Sequence, residues 1–294
     1  MKSTITLTLS LLFSTSALAQ TGTEAGLQDA SATTTIDATK AGVVVSASLD
    51  SVQTKVLAGE TSPEAFDGIK ASILQMGTGM SQTSPMAGER LQRRVADLEL
   101  RAKGGSATAE DFAILREQVV DARLDHAITQ LATAAKAPSM SSASFAQVSE
   151  LLQARAAATA ELDPQAADGN QAVIRVVYQM QKKSGTSILE DTDFALLRSS
   201  LAETRLDRAM VDLQQRAVMR VASPTDYARV GDVLTDRTKV IGTSAAKELQ
   251  VSLSDALTKL KAKADAGGVT AADFTALQDG MVAKARDAAA LKTE

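Results

Sequence analysis

Apolar side chains recur at intervals of three and four along most of this chain. Leu91, Val95 and Leu98 form one such row, Val173, Val177 and Met180 a second, and Leu253, Leu257 and Leu260 a third. That interval keeps all members of a row on one face of an α-helix, whereas a half-buried strand would alternate at every second residue. Read along the chain, the pattern predicts helices over 36–58, 63–76, 87–103, 109–137, 142–160, 171–184, 191–219, 224–241, 245–266 and 271–292.

The rows are copies of one another. Asp111-Phe112-Ala113-Ile114-Leu115-Arg116 returns as Asp193-Phe194-Ala195-Leu196-Leu197-Arg198, 82 residues on, and again as Asp273-Phe274-Thr275-Ala276-Leu277 after a further 80. A second series, ending in Phe66, Phe145 and Tyr227, interleaves with the first at intervals of 79 and 82. Apart from Phe13 and Tyr178, every aromatic residue belongs to one of these two series. Two interleaved series with one period are hard to obtain by chance, so the chain reads as an internal repeat.

The repeated motif has the chemistry of a helix start. Ser62, Thr108, Ser141, Ser223 and Thr270 each stand four residues before the aromatic, where a hydroxyl can accept from an unpaired first-turn N–H. Pro63 and Pro224 fall at the first helical position, where no N–H is required. Asp111, Asp226 and Asp273 fall at the third, near the positive end of the helix. Glu190 breaks the pattern, and Asp191 or Thr192 is expected to cap there instead. The aromatics Phe66, Phe112, Phe145, Phe194, Tyr227 and Phe274 then point one turn in, toward a core.

The longest helices carry two stripes in succession. Phe112, Leu115, Val119 and Ala122 give way to Leu124, Ile128, Leu131 and Ala135; Phe194, Leu197 and Leu201 give way to Leu206, Met210, Leu213 and Ala217. A helix that changes stripe midway packs first on one set of neighbours and then on another, so these helices join one unit to the next. The fold expected is all-α: three units of about 80 residues with three helices each, in an elongated solenoid-like or stacked-bundle array. Its units run 62–140, 141–222 and 223–294, preceded by a partial unit at 36–61 in which Leu49 aligns with Ile128 and Val52 with Leu131.

Composition agrees and narrows the function. Aromatics make up 3% of the chain, and alanine and unbranched side chains dominate, as helices favour. Lys and Arg number 31 against 35 Asp and Glu, interspersed in the manner of solvated helix faces, so no basic surface is set aside for nucleic acid. At the N-terminus, Lys2, the apolar run from Ile5 to Phe13 and Ala17-Leu18-Ala19 have the layout of a secretory signal peptide over residues 1–19, cut after Ala19. Residues 20–35 read as a disordered leader. The apolar run is too short to span a bilayer, and no transmembrane segment is expected after cleavage. The destination is the periplasm or the medium, and no cysteine is present to form disulfides there.

Candidate chemistry is thin. His126, the single histidine, aligns with Arg208, which suggests a solvent-facing position rather than a catalytic one. The copies Arg123-Leu124-Asp125 and Arg205-Leu206-Asp207 place Arg and Asp two apart on a helix, pointing in different directions, as interhelical pairs would. The segment Gly267 to Phe274 has the ending of a calcium loop, but Ala262, Ala264 and Ala266 stand where the first ligands are needed. The run Gly77 to Pro85 lacks the features of a phosphate loop or a nucleophile elbow and reads as a flexible link. No catalytic set, metal or cofactor is expected. The leading expectation is a non-enzymatic exported scaffold that binds protein, with self-association compatible with such a surface. A holdase-type chaperone or apolar-ligand carrier and a hydrolase using acidic residues are the alternatives. Export with cleavage after Ala19 predicts that the mature chain begins at Gln20, which intact mass of the exported protein checks; a mass retaining residues 1–19 would refute it.

Overall fold

The structure is a computed structural model and describes residues 38–60, 63–81, 83–84, 86–136, 142–162 and 167–279. The signal peptide, the leader, Ser62, Ser141 and the end of the last expected helix lie outside these residues. All the regular structure described is helical: α1 (Ala38–Leu57), α2 (Pro63–Gly79), α3 (Ala87–Lys103), α4 (Ala109–Ala134), α5 (Ser142–Leu162), α6 (Ala167–Ser184), α7 (Asp191–Val218), α8 (Pro224–Ile241), α9 (Ser244–Asp265) and a segment α10 at 271–279. Three boundaries move by three residues or more from the sequence expectation. Helix α2 runs three residues further, α4 ends three residues earlier, and α6 begins four residues earlier.

The apolar stripes collect into three separate clusters. The first joins Val45, Leu49 and Val52 of α1, Phe66, Ile69, Ile73 and Met76 of α2, Leu91, Val95 and Leu98 of α3, and Phe112, Leu115 and Val119 of α4. The second begins on the same helix α4 with Leu124, Ile128 and Leu131 and takes in α5, α6 and the start of α7 to Leu201. The third begins on α7 with Leu206 and includes α8, α9 and Phe274. Each cluster is thus enclosed by four helical segments. Helices α4 and α7, about 40 Å long at 1.5 Å per residue, each close one bundle and open the next. The stripe change that the sequence carries at residues 122–124 and 201–206 is the point of transfer. Phe66, Phe112, Phe145, Phe194 and Phe274 are all at most 3% exposed, and burying each contributes about 2–3 kcal/mol.

The array is stacked rather than strung out. Besides neighbours in the chain, α3 touches α8, bringing the first bundle directly against the third.

One device recurs at the helix starts. Asp111, Asp193, Asp226 and Asp273 each accept a bond from the backbone N–H of the residue three positions earlier, at 2.8–2.9 Å. The aspartate, more than the hydroxyl, holds each start. At α4 the box is reciprocal, with Thr108 Oγ1 accepting from the Asp111 N–H at 3.4 Å. Glu190, not Asp191 or Thr192, occupies the N-cap of α7, because extended backbone there (φ −99°, ψ 162°) brings its N–H to Asp193. At all four starts a basic residue ten positions before the aspartate also faces it: Arg101 to Asp111 at 3.8 Å, Lys183 to Asp193 at 2.7 Å, Arg216 to Asp226 at 3.0 Å, and Lys263 to Asp273 at 2.6 Å. The Lys263 ammonium and the Thr270 N–H hold the Asp273 carboxyl at about 2. The glycine-rich stretch before it is therefore a capped helix start.

The expected flexible link at 77–85 begins inside α2. Gly77 and Gly88 meet where α2 crosses α3, and a Cβ on Gly77 would lie 2.9 Å from the Gly88 Cα. A larger residue must separate the two backbones, so Gly88→Val is expected to cost about 1–3 kcal/mol, the range for overpacking. Urea unfolding checks this; an unchanged midpoint would mean the crossing is not tight.

Candidate functional site

The most distinctive chemistry of the molecule lies where the three bundles meet. Each helix there carries a charged stripe beside its apolar one, at the same three- and four-residue spacing except for the six-residue step from Asp111 to Glu117. Helix α3 presents Arg90, Arg94, Asp97 and Arg101; α4 presents Asp111, Glu117, Asp121 and Asp125; α7 presents Arg205, Arg208, Asp212 and Arg216; α8 presents Asp226, Arg229, Asp232 and Asp236. With the apolar stripes turned into the three bundle cores, these second stripes face one another.

The deepest groups balance in sign. Arg94, Arg155, Arg208 and Arg216 stand against Asp111, Glu117, Asp212 and Asp226, none more than 5% exposed. Asp226 is the meeting point. It accepts from Arg94 at 2.6 Å, from Arg216 at 3.0 Å and from Arg101 at 3.4 Å, and it holds its own helix start through the Ser223 N–H. Burial alone would raise its carboxyl; Arg94 and Arg216 outweigh that and bring it down to about 2. Arg216 reaches on to Asp111 at 2.6 Å. Arg229 joins Asp212 at 2.6 Å to Glu117 at 2.8 Å, and Arg155 of α5 links Glu117 at 3.5 Å with Asp121 at 2.7 Å. Burial pushes the Glu117 carboxyl up despite both arginines.

Above this layer opens a cleft of about 90 Å³ whose walls include Arg90, Asp121, Asp125, Arg205, Asp232 and Asp236. Two arginines bridge its carboxylates. Arg205 bonds Asp125 at 2.9 and 3.0 Å and Asp121 at 3.0 Å; Arg90 bonds Asp236 through both terminal nitrogens and lies 3.5 Å from Asp232. Burial, reinforced by Asp121, raises the Asp125 carboxyl even so, while Arg155 and Arg205 overcome burial to lower that of Asp121. Among the described residues no group of three or more His, Cys, Asp or Glu side chains is placed to hold a metal ion, and no helix is long and apolar enough to cross a membrane.

The residues singled out from sequence fall in different places. Arg205 and Asp125 meet across α7 and α4, one from each copy of the Arg-Leu-Asp motif. Among the described residues Arg123 forms no ion pair, though Glu150 acts on it from a distance; its side chain lies over Gly42 of α1, where any Cβ would collide with it. Asp207 feels Arg237 of α8 only at a distance, because Arg237 bonds Glu203 at 2.8 Å. Thr108, Ser223 and Thr270 stand at helix starts, and Tyr227 packs partly buried against the third cluster. His126, expected to face solvent, is partly buried. Its Nδ1 lies 2.8 Å from Thr83 Oγ1 and its Nε2 2.9 Å from Gln130 Nε2, tying the α2–α3 link to α4. Its counterpart Arg208 is buried beside Asp212, so the alignment of two charged residue types did not imply solvent. The charged residues as a whole are not simply solvated faces. The period of the charged stripes was the signal that could have shown it.

Comparison with protein-family models, with curated proteins and with solved structures finds no match for the chain. What the fold defines is a class by architecture: three helical bundles in series, joined by shared helices and packed about an ionic centre.

The charge on Asp226 has a pH signature. A carboxyl held near 2 when folded, against about 4 when unfolded, contributes stability that is complete above about pH 4 and is lost as pH falls toward 2. Asp226→Asn is therefore expected to lower stability by roughly 2–5 kcal/mol at neutral pH, since it also strands buried arginines. The gap from wild type should shrink between pH 4 and 2 in urea titrations. A gap that stays constant over that range would show that packing, not charge, is lost.

Proposed function

We propose that the chain, once exported, works as a non-enzymatic scaffold in the cell envelope or outside the cell and holds a protein partner against its helical surface. The observation that carries this reading is Tyr178. It is the one aromatic of the mature chain outside the two repeated series, and it is 67% exposed on α6. Ile188 in the α6–α7 link and Leu196 in the first turns of α7 are 80% and 55% exposed. Large apolar and aromatic side chains left in solvent beside a well-filled core are the material of protein contacts.

The central cleft supports the same reading from the other side. Its carboxylates stand on two walls, as a hydrolase with paired acids would need, but arginines bridge them. An acid–base pair requires one carboxyl free to hand over its proton; Asp125 and Asp236 are instead clamped by Arg205 and Arg90. The holdase or carrier alternative would draw on an apolar groove, and this one, though partly apolar, carries charged side chains from all four helices, among them Arg90, Asp125, Arg205 and Asp236.

The test immobilises the mature chain from Gln20 and exposes it to envelope and culture-supernatant proteins at moderate salt. One dominant partner is expected, and Tyr178→Ala combined with Ile188→Ser should weaken its binding about tenfold or more, the loss of at least one hot-spot contact. A broad set of unfolded clients would replace this reading by the holdase. Retention of nothing, or of a partner indifferent to both substitutions, would count against it.

A further inference from the structure

The three apolar clusters each close on themselves, and none crosses from the first bundle to the third. Ile114 and Val120 of α4 are the large buried aliphatics outside them. Among the described residues, the hydrogen bonds and ion pairs that do cross each involve a charged side chain. On the first-bundle side, α3 supplies Arg90, Arg93, Arg94, Asp97 and Arg101, and α4 supplies Asp111 and Glu117. Facing them are Arg216 of α7, Ser223 at the start of α8, and Asp226, Arg229, Asp232 and Asp236 of α8. Arg93 bonds Asp232 at 2.7 Å, Ser223 Oγ donates to Asp97 at 3.0 Å, and Arg101 donates to the Val221 carbonyl at 2.9 Å.

We propose that this seam is a releasable ionic latch, at which the first and third bundles part while each bundle stays folded. Attraction between buried charges is largely offset by the water they give up, so closing such a seam changes free energy little for its size. Burying the apolar stripes has no comparable offset, and the bundle cores are correspondingly firmer. The closed state also leaves Arg94 Nη2 buried without a hydrogen-bond partner, a group that opening returns to water. Chain connectivity permits the motion. From the first bundle to the third the backbone passes through the second, along α4 and α7, so the latch can open without unwinding a helix. Released, it uncovers arginines on α3 and aspartates on α8.

The absence of cysteine makes the test direct, because two introduced cysteines take spin labels without interference. Gln75 on α2 and Lys259 on α9 are exposed and lie away from the seam. In the full mature chain at low salt, a single distance between labels, that of the closed seam, is expected. Arg90→Gln with Arg93→Gln, which alters only the partly exposed rim, should add a second population longer by about a helix diameter, about 10 Å. So should about 1 M salt, where the screening length falls to about 3 Å. Arg94→Gln should shift the balance further. In every case helix content by circular dichroism should match the starting protein. A single, unchanged distance in the rim variant and at high salt would overturn the proposal. So would lengthening that appears only in step with loss of helix, since the bundles would then not be independent of the seam.

Discussion

Asp226 sits where three demands converge. Its helix needs an acceptor for the Ser223 N–H, Arg94 of the first bundle needs a counter-charge, and so does Arg216 of the helix that enters the third. A carboxylate has lone pairs enough for all of these, but only if its desolvation is repaid by each of them together. That constraint fixes the approach of α3 to α8 more narrowly than apolar packing would, because aliphatic surfaces tolerate sliding and charge-assisted bonds do not. The balance of four buried arginines against four buried carboxylates follows from the same need, since any unpaired member would cost several kcal/mol.

The centre can be ionic because the apolar work is done elsewhere. Each bundle fills its core from four helical segments, leaving the adjacent stripe of every helix free for polar use. Helices α4 and α7 then carry that stripe past the centre, where two charged rows run beside each other and Arg205 spans from α7 to Asp121 and Asp125 of α4. The cap aspartates join in. Asp111 and Asp226 hold their helix starts and also receive arginines from another bundle, whereas Asp193 and Asp273 answer only to the lysine of the preceding helix. One local motif thus serves a helix end in every unit and the assembly in two places.

The helices, the change of stripe along α4 and α7, and the helix starts could be read from the sequence because each depends on local spacing. Leu124 follows Ala122 at a break in the apolar row, and that break marks the hand-over between cores. The centre was not legible in the same way. Arg94, Glu117 and Arg229 look like ordinary surface charges, since their burial depends on how α3 and α8 meet across more than 130 residues of chain. Arg208 shows the error in miniature: its match to His126 suggested solvent, yet it is buried beside Asp212, while His126 is only partly buried. Arg123 shows another, for a motif shared with Arg205 ends against Gly42 because the opening helix α1 occupies its side of the bundle.

The repeat itself points to the centre once its departures are followed instead of its agreements. Leu91, Val95 and Leu98 keep apolar counterparts in all three units. Arg94, between them, aligns with Val176 and Ala256; Asp226 aligns with Ala65 and Ser144; Arg216 aligns with Ala134; and Arg229 aligns with Gly68 and Gln147. The positions that build each bundle are shared. Of those that join the first bundle to the third, Arg94, Arg216, Asp226 and Arg229 have no charged counterpart in another copy, whereas Asp111, Arg101 and Ser223 are matched by residues of like chemistry. Three identical units could stack by their common features alone, each meeting its neighbour in the same way. Contact between first and third requires side chains that the second does not have, and charge provides it without altering any core. Positions that match between the units account for the bundles, and unmatched charges on the second stripe of four helices account for how they are held together.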